Sequence, residues 1–231
     1  MRVPFYICTI PFFKYILPCV TAQKMSTIAY LPLKEDAPLH RALEKVKQIA
    51  GVSQAYYGRR LEDSSIVDVI IDWSSTTNAS KLKDSLLSGE LNSIIKPALT
   101  GLPTCFTMQH QWGPGTFLDT NQNPVTEIAT FFFLPNIDDQ QLGEFDQAFV
   151  SLEQAVAAQP GHVTSGAGHI TGTVDNPDIG APVKGFIAAV GWTSPEAHVN
   201  FTKTPEFGQS LGKLIPFLSG NADHHVYFQK A

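Results

Sequence analysis

The chain has 231 residues, of which 43% are hydrophobic, 10% aromatic and 16% charged. That is enough apolar mass for one large globular unit or two small ones, and it excludes a disordered or fibrous chain. Sixteen basic residues stand against twenty-one acidic ones, for a net charge of −5, and no basic cluster occurs, so the chain has no signature of a nucleic-acid binder.

Residues 1–25 are expected to form an N-terminal extension or leader. Val3 to Val20 are mostly apolar, but Lys14, Pro4, Pro11 and Pro18 interrupt the run, so no stable membrane span is expected. A secretory reading takes Arg2 and the apolar run as a signal, with Val20-Thr21-Ala22 as its cleavage site. The expected location is cytoplasmic, or secreted if residues 1–22 are a signal peptide. Cys8, Cys19 and Cys105 have no metal-site or redox spacing. Asn78-Ala79-Ser80 and Asn200-Phe201-Thr202 are glycosylation sequons, relevant only to a secreted chain.

Beyond the extension the elements recur. Residues 26–112 open with the strand Thr27-Ile28-Ala29-Tyr30-Leu31, and residues 126–231 open with Glu127-Ile128-Ala129-Thr130-Phe131-Phe132-Phe133. A helix follows each. Leu39, Leu43, Val46 and Ile49 mark one face of the first; Leu142, Phe145, Phe149, Leu152 and Val156 mark one face of the second. Asp138 and Asp139 suit the second helix's start, and Gly51 and Gly161 suit the two helix ends. Gly58 follows Gly51 by seven residues, and Gly168 follows Gly161 by seven. Strands ending in Trp73 and Trp192 come next, and Pro97 and Pro216 each lie twenty-four residues after those tryptophans. Second helices fill the interval; Ser194-Pro195-Glu196 is an N-terminal signal. Final strands are read at Cys105 to Gln111 and His224 to Gln229. Residues 113–125 are the linker, and Thr171 to Pro182 form an extra loop in the second copy.

Each copy therefore reads β-α-β-β-α-β. A four-stranded sheet with helices on one face leaves the other face bare, and two copies can cover each other. The predicted class is α+β: two ferredoxin-like repeats packed sheet to sheet as an intrachain barrel, a monomeric pseudo-dimer or a homodimer.

This pattern resembles the dimeric α+β barrel superfamily, in particular antibiotic biosynthesis monooxygenase-like domains, in the tandem form found near fungal secondary-metabolite pathways. The resemblance rests on Trp192-Thr193-Ser194-Pro195-Glu196-Ala197-His198, Thr204-Pro205-Glu206-Phe207 and His225-Val226-Tyr227-Phe228. Where the family often carries a histidine eight residues after the tryptophan, this chain has Asn200, and His198 lies six residues after Trp192. The first copy keeps Trp73 but has Asn78, Lys81 and Leu86 where the second has Ala197, Asn200 and Pro205, so it reads as degenerate. The resemblance implies a pocket between each sheet and its own helices, with the working pocket in the second copy.

Candidate acid–base residues are His198 and His169, because a neutral imidazole titrates near working pH. Each also has a structural reading, as a packing or hydrogen-bonding histidine. Trp192, Phe131, Phe133, His225, Tyr227 and Asn200 are candidate substrate contacts, with core packing as the alternative for the aromatics. Alternation puts His162, Thr164, Gly166 and Gly168 on one side of their strand, where the small residues leave room for a ligand or for close backbone packing. Asp68 and Asp72 share a strand face, as paired carboxylates or as an exposed charged face; Arg59 or Arg60 could hold an anion or form a solvated edge. No nucleotide-binding glycine motif, nucleophile elbow or metal-ligand spacing occurs, so no cofactor and no metal are expected. The resulting expectation is an enzyme for an apolar polyketide- or terpenoid-like small molecule, by cofactor-free oxygenation or by acid–base cyclisation or rearrangement. A non-catalytic ligand-binding barrel and a haem-binding or haem-degrading relative are the alternatives.

Overall fold

The computed structural model describes residues 24–74, 79–113, 124–176 and 180–231. The extension up to residue 23, Cys8, Cys19, Asn78 and most of the linker lie outside the described residues. The first half runs β1 (Met25–Pro32), α1 (Ala37–Val46), β2 (Val52–Arg59), β3 (Ile66–Trp73), α2 (Ala79–Leu87), α3 (Glu90–Ile95) and β4 (Thr104–Trp112). The second runs β5 (Val125–Phe133), α4 (Asp139–Ala157), β6 (His162–Thr171), β7 (Val174–Asn176), β8 (Ala181–Val183), β9 (Gly185–Trp192), α5 (Pro195–Thr202), α6 (Pro205–Gly212), β10 (Leu218–Val226) and β11 (Gln229–Lys230).

The main sheet is one nine-stranded antiparallel surface ordered β10-β5-β9-β6-β4-β1-β3-β2-β11. Each half contributes its strands in the order fourth, first, third, second, so the halves share one topology. They meet edge to edge: β4 pairs with β6 from Thr107↔Thr171 to Trp112↔Ala167. At the other end Val226, the last residue of β10, bridges Arg60, and β11 pairs with β2 through Gln229↔Tyr57. The sheet thereby closes on itself and leaves neither half with a long free edge. The expected α+β barrel is present, with its two sheets joined strand to strand into one.

Alternation then builds three cores. Odd-numbered positions of β1 and β3, such as Ala29, Leu31, Val69, Ile71 and Trp73, pack under α1–α3. Phe131, Phe133, Phe186, Val190 and Trp192 pack under α4–α6. The opposite faces meet inside the barrel, where Ile28, Ile70, Phe106, Met108, Ile128, Phe132 and Ile187 fill the space. Asp68 and Asp72 lie inside too, buried rather than exposed: Asp68 accepts from Arg60 at 2.8 Å, and Asp72 accepts from the Ser26 hydroxyl. Arg59 pairs with Asp36 at 2.6 Å. Trp112, from the first half, packs on Phe149 and Phe186 of the second, with ring centroids 5.3 and 5.5 Å away.

Some expectations change. Each predicted second helix is two shorter helices, α2 and α3 or α5 and α6. Thr204 caps α6 by accepting from the Phe207 N–H, just as Ser194 caps α5. The last strand of the second half begins at Leu218 and stops at Val226. A bulge between His162 and Thr164 turns His162 beside Trp192 instead of onto the face that holds Gly168.

The repeated glycines have structural reasons. Gly51 adopts φ +95° and its carbonyl accepts from Ser74 N–H at 2.8 Å; the Gly161 carbonyl accepts from Thr193 N–H at the same distance. Gly168 lies beneath β4, where a Cβ would sit 1.8 Å from the Gln109 carbonyl oxygen. The small residues there serve close backbone packing. Gly168→Val is therefore expected to destabilise the chain by about 3 kcal/mol or more, since the obstructing atoms are backbone. Gly143→Ala, on an open face of α4, should stabilise it by about 0.5–1 kcal/mol. Urea-denaturation midpoints of the two variants check both signs.

Candidate active site

Helix α4 forms the roof of the site. Asp138 accepts from the Gln141 N–H while the Gln141 side chain accepts from the Asp138 N–H, a reciprocal cap that fixes where the helix starts. Phe145, Phe149, Leu152 and Val156 then fall on its buried face. The Ser194 cap and Pro195 start α5 immediately after Trp192, which places His198 in its first turns, facing back toward the sheet.

Between β5, β9, β10 and helices α4–α6 lies a half-open cavity of about 120 Å³. Phe131, Phe149, Val190, Phe201 and Phe207 make it apolar, and Asn221 and Asp223 stand at its exposed rim. Glu127 and His198 are the polar groups set deepest against it. The Trp192 indole N–H donates to Glu127 Oε2 at 2.8 Å, and His198 Nε2 lies 3.4 Å from Glu127 Oε1. On its other side His198 Nδ1 is 2.8 Å from His225 Nε2, and His225 Nδ1 is 2.7 Å from Glu62 Oε1.

Burial dominates the titration of both cavity groups. It pushes the Glu127 carboxyl up to about 7, against the opposing hydrogen bond from Trp192. Burial holds His198 down to about 4. At neutral pH His198 is thus an uncharged imidazole beside a carboxyl poised between its two forms. That pair can take a proton from an acidic O–H or C–H brought into the cavity, and can return it.

Among the described residues the first half has no counterpart. Met25 pairs with Trp73 as Val125 pairs with Trp192, so Thr27 stands where Glu127 does. The Trp73 indole N–H accordingly donates to the Thr27 hydroxyl at 2.9 Å. A hydroxyl at that place has no accessible proton-transfer range.

Of the residues singled out from sequence, His198 and Phe131 line the cavity. Trp192 is fully buried and orients Glu127. His225 sits behind His198 rather than on the cavity wall. His169 is elsewhere: it is bonded to Asp146 of α4 at 2.8 Å and enclosed by Phe133, Phe145 and Phe186. Phe133 belongs to that aromatic group, outside the lining. Asn200 is exposed on α5, and Tyr227 is exposed just past β10. Glu127 was not singled out, although its alignment with Thr27 in an otherwise apolar strand was a readable signal. Among the described residues no group of three or more His, Cys, Asp or Glu side chains could hold a metal ion, and no helix is long and apolar enough to cross a membrane.

No protein-family profile matches the chain, and no curated protein matches it by sequence. Solved structures do match. An anthrone oxidase-like protein superposes with a TM-score of 0.62 at 13% identity, over 90% of this chain and 94% of that one. A candidate monooxygenase from Lactobacillus acidophilus NCFM gives 0.55 at 14% identity, over 90% and 96%. A major regulator of staphylococcal pathogenesis gives 0.51 at 11%, over 89% and 98%.

The chain shares the α+β barrel fold of these structures. A shared fold does not by itself specify a reaction, so the function of this barrel must be argued from Glu127 and His198.

The raised Glu127 has a stability signature. A carboxyl whose folded value lies above its unfolded value of about 4.5 stabilises the fold at low pH, and that contribution is lost as pH rises through about 7. Glu127→Gln cannot ionise and is expected to gain up to about 3 kcal/mol over the parent between pH 5 and pH 8. Parallel urea titrations at the two pH values measure this difference.

Proposed function

We propose that this barrel is an oxygenase-like enzyme acting on an apolar, oxygenated small molecule. The observation that carries the reading is a buried carboxyl, Glu127, titrating near neutrality against an apolar cavity and beside an uncharged His198. Neighbours of the same fold named as monooxygenases agree with it.

The cavity volume is close to the roughly 150 Å³ of an apolar cavity that binds benzene. It therefore encloses one ring of a ligand, and a larger substrate extends past Asn221 and Asp223. With an acidic methylene held at Glu127, the carboxylate removes one proton and leaves an electron-rich enolate. Dioxygen takes electrons from that carbanion and bonds to the same carbon. The resulting hydroperoxide, once protonated, loses water to give a ketone. One oxygen atom enters the product and the other leaves as water, so the substrate itself is the reductant. The Trp192 indole N–H holds the carboxyl in register, and the apolar walls exclude bulk water from the anion. Cyclisation or rearrangement would use the same proton transfer without dioxygen.

Oxygen uptake with a panel of anthrones and related hydroxylated ketones separates these readings. The parent protein is expected to consume one dioxygen per ketone formed. Glu127→Gln and His198→Ala should each lose about 10²–10⁴-fold in turnover while still binding substrate. Product formation without oxygen uptake would indicate rearrangement. Binding with no product from any member of the panel would favour a carrier barrel, and a Soret band on adding haem would favour a haem-binding one.

A further inference from the structure

The line of polar groups behind the cavity crosses from one half of the chain to the other. Glu127 is on β5, His198 on α5, His225 on β10, and Glu62 in the loop between β2 and β3 of the first half. Glu62 accepts twice from His225: from its backbone N–H at 2.9 Å and from ring Nδ1 at 2.7 Å. We infer that Glu62 is a positioning residue for the cavity, setting through His225 which nitrogen of His198 is left bare toward Glu127.

The reasoning is one of donors and acceptors. An ionised Glu62 can only accept, so His225 must carry its proton on Nδ1. A neutral His225 then has a bare Nε2, and that atom must accept from His198 Nδ1, 2.8 Å away. A neutral His198 is left with a bare Nε2, the atom 3.4 Å from Glu127 Oε1. Glu62 is suited to hold this order. Burial works to raise its carboxyl, but hydrogen bonds from His225 and from its own backbone help to hold it below its ordinary value. The charged or titratable groups facing His198 are Glu127 from β5, His225 and Asp223 from β10, and Glu62 beyond His225.

Two carboxyls thus compete for one chain of imidazoles. If Glu62 sets the order, His198 presents a base to the cavity. If Glu127 sets it, every proton reverses and His198 becomes a donor to Glu127. The order set by Glu62 also provides an outlet. A proton passed from Glu127 to His198 Nε2 frees the Nδ1 proton to His225 Nε2, and His225 hands its own Nδ1 proton to Glu62. One proton moves from the cavity to a side chain that is 48% exposed, and each ring ends in its opposite neutral form.

The inference takes its functional meaning from the acid–base reading of Glu127 and His198, but its test needs no substrate. The full chain, labelled with ¹⁵N-histidine, is examined at neutral pH by long-range ¹H–¹⁵N correlation, which distinguishes protonated from bare ring nitrogens. In the parent protein, His198 and His225 are each expected to show a protonated Nδ1 and a bare Nε2. In Glu62→Ala, and separately in His225→Ala, His198 is expected to lose that pattern and gain a protonated Nε2. A protonated His198 Nε2 in the parent protein overturns the inference without any variant. So does an unchanged His198 pattern in a folded Glu62→Ala. Oxygen-consuming turnover by a protein with the reversed pattern would overturn the role of Glu62 and leave the oxygenase reading standing.

Discussion

Gly168 passes so close beneath β4 that a methyl group there would lie 1.8 Å from the Gln109 carbonyl oxygen. Gly58 passes beneath the chain that follows β10 in the same manner, with the Tyr227 carbonyl oxygen 2.5 Å from where its Cβ would be. These are the two places where the fourth strand of one half crosses onto the second strand of the other. Each half alone is a sheet with one bare face and two unpaired edges. Joining at both crossings buries the faces against each other and satisfies the edges at once. A side chain at either glycine would hold the two backbones apart.

The site is a product of that closure. His225 stands on the last strand of the second half, and the closing seam lays that strand beside the first-half loop that carries Glu62. Inside the barrel the neighbouring His224 bonds at 2.5 Å to Asp68, which also holds Arg60. Two adjacent histidines on one strand thus face opposite ways, and each is met by a carboxylate from the other half. The buried hydrogen bond between His224 and Asp68 is costly to break once made, so it holds the seam in one register. The half without a carboxyl at the cavity position still reaches the polar line behind the cavity, through the loop it places at the seam.

Much of the fold was readable in the residues. Period-two runs, helical stripes and the equal intervals from glycine to glycine and from tryptophan to proline indicated two matched β-α-β-β-α-β units. The bare-face argument then required them to cover each other. The site was only partly readable. His198 could be picked out as an imidazole following a capped helix start. His169 looked equally suitable, because strand alternation says which side a residue faces but not what stands opposite it. In the fold that side is occupied by Asp146 and three phenylalanines. The bulge at His162 defeated the alternation there, since one extra residue reverses the facing of a strand and leaves no mark in a hydrophobic pattern.

The amino-acid sequence by itself determined most of the elements, their order and the need for closure, because these follow from local periodicity and from the cost of exposing apolar surface. The tertiary structure alone decided which carboxyl became the cavity acid and which histidine stood beside it. Glu127 is an ordinary strand glutamate until Trp192, His198 and the walls under α4 remove water from around it. Its proton affinity, like the pairing of His225 with a glutamate 163 residues away, comes from groups that only folding brings together.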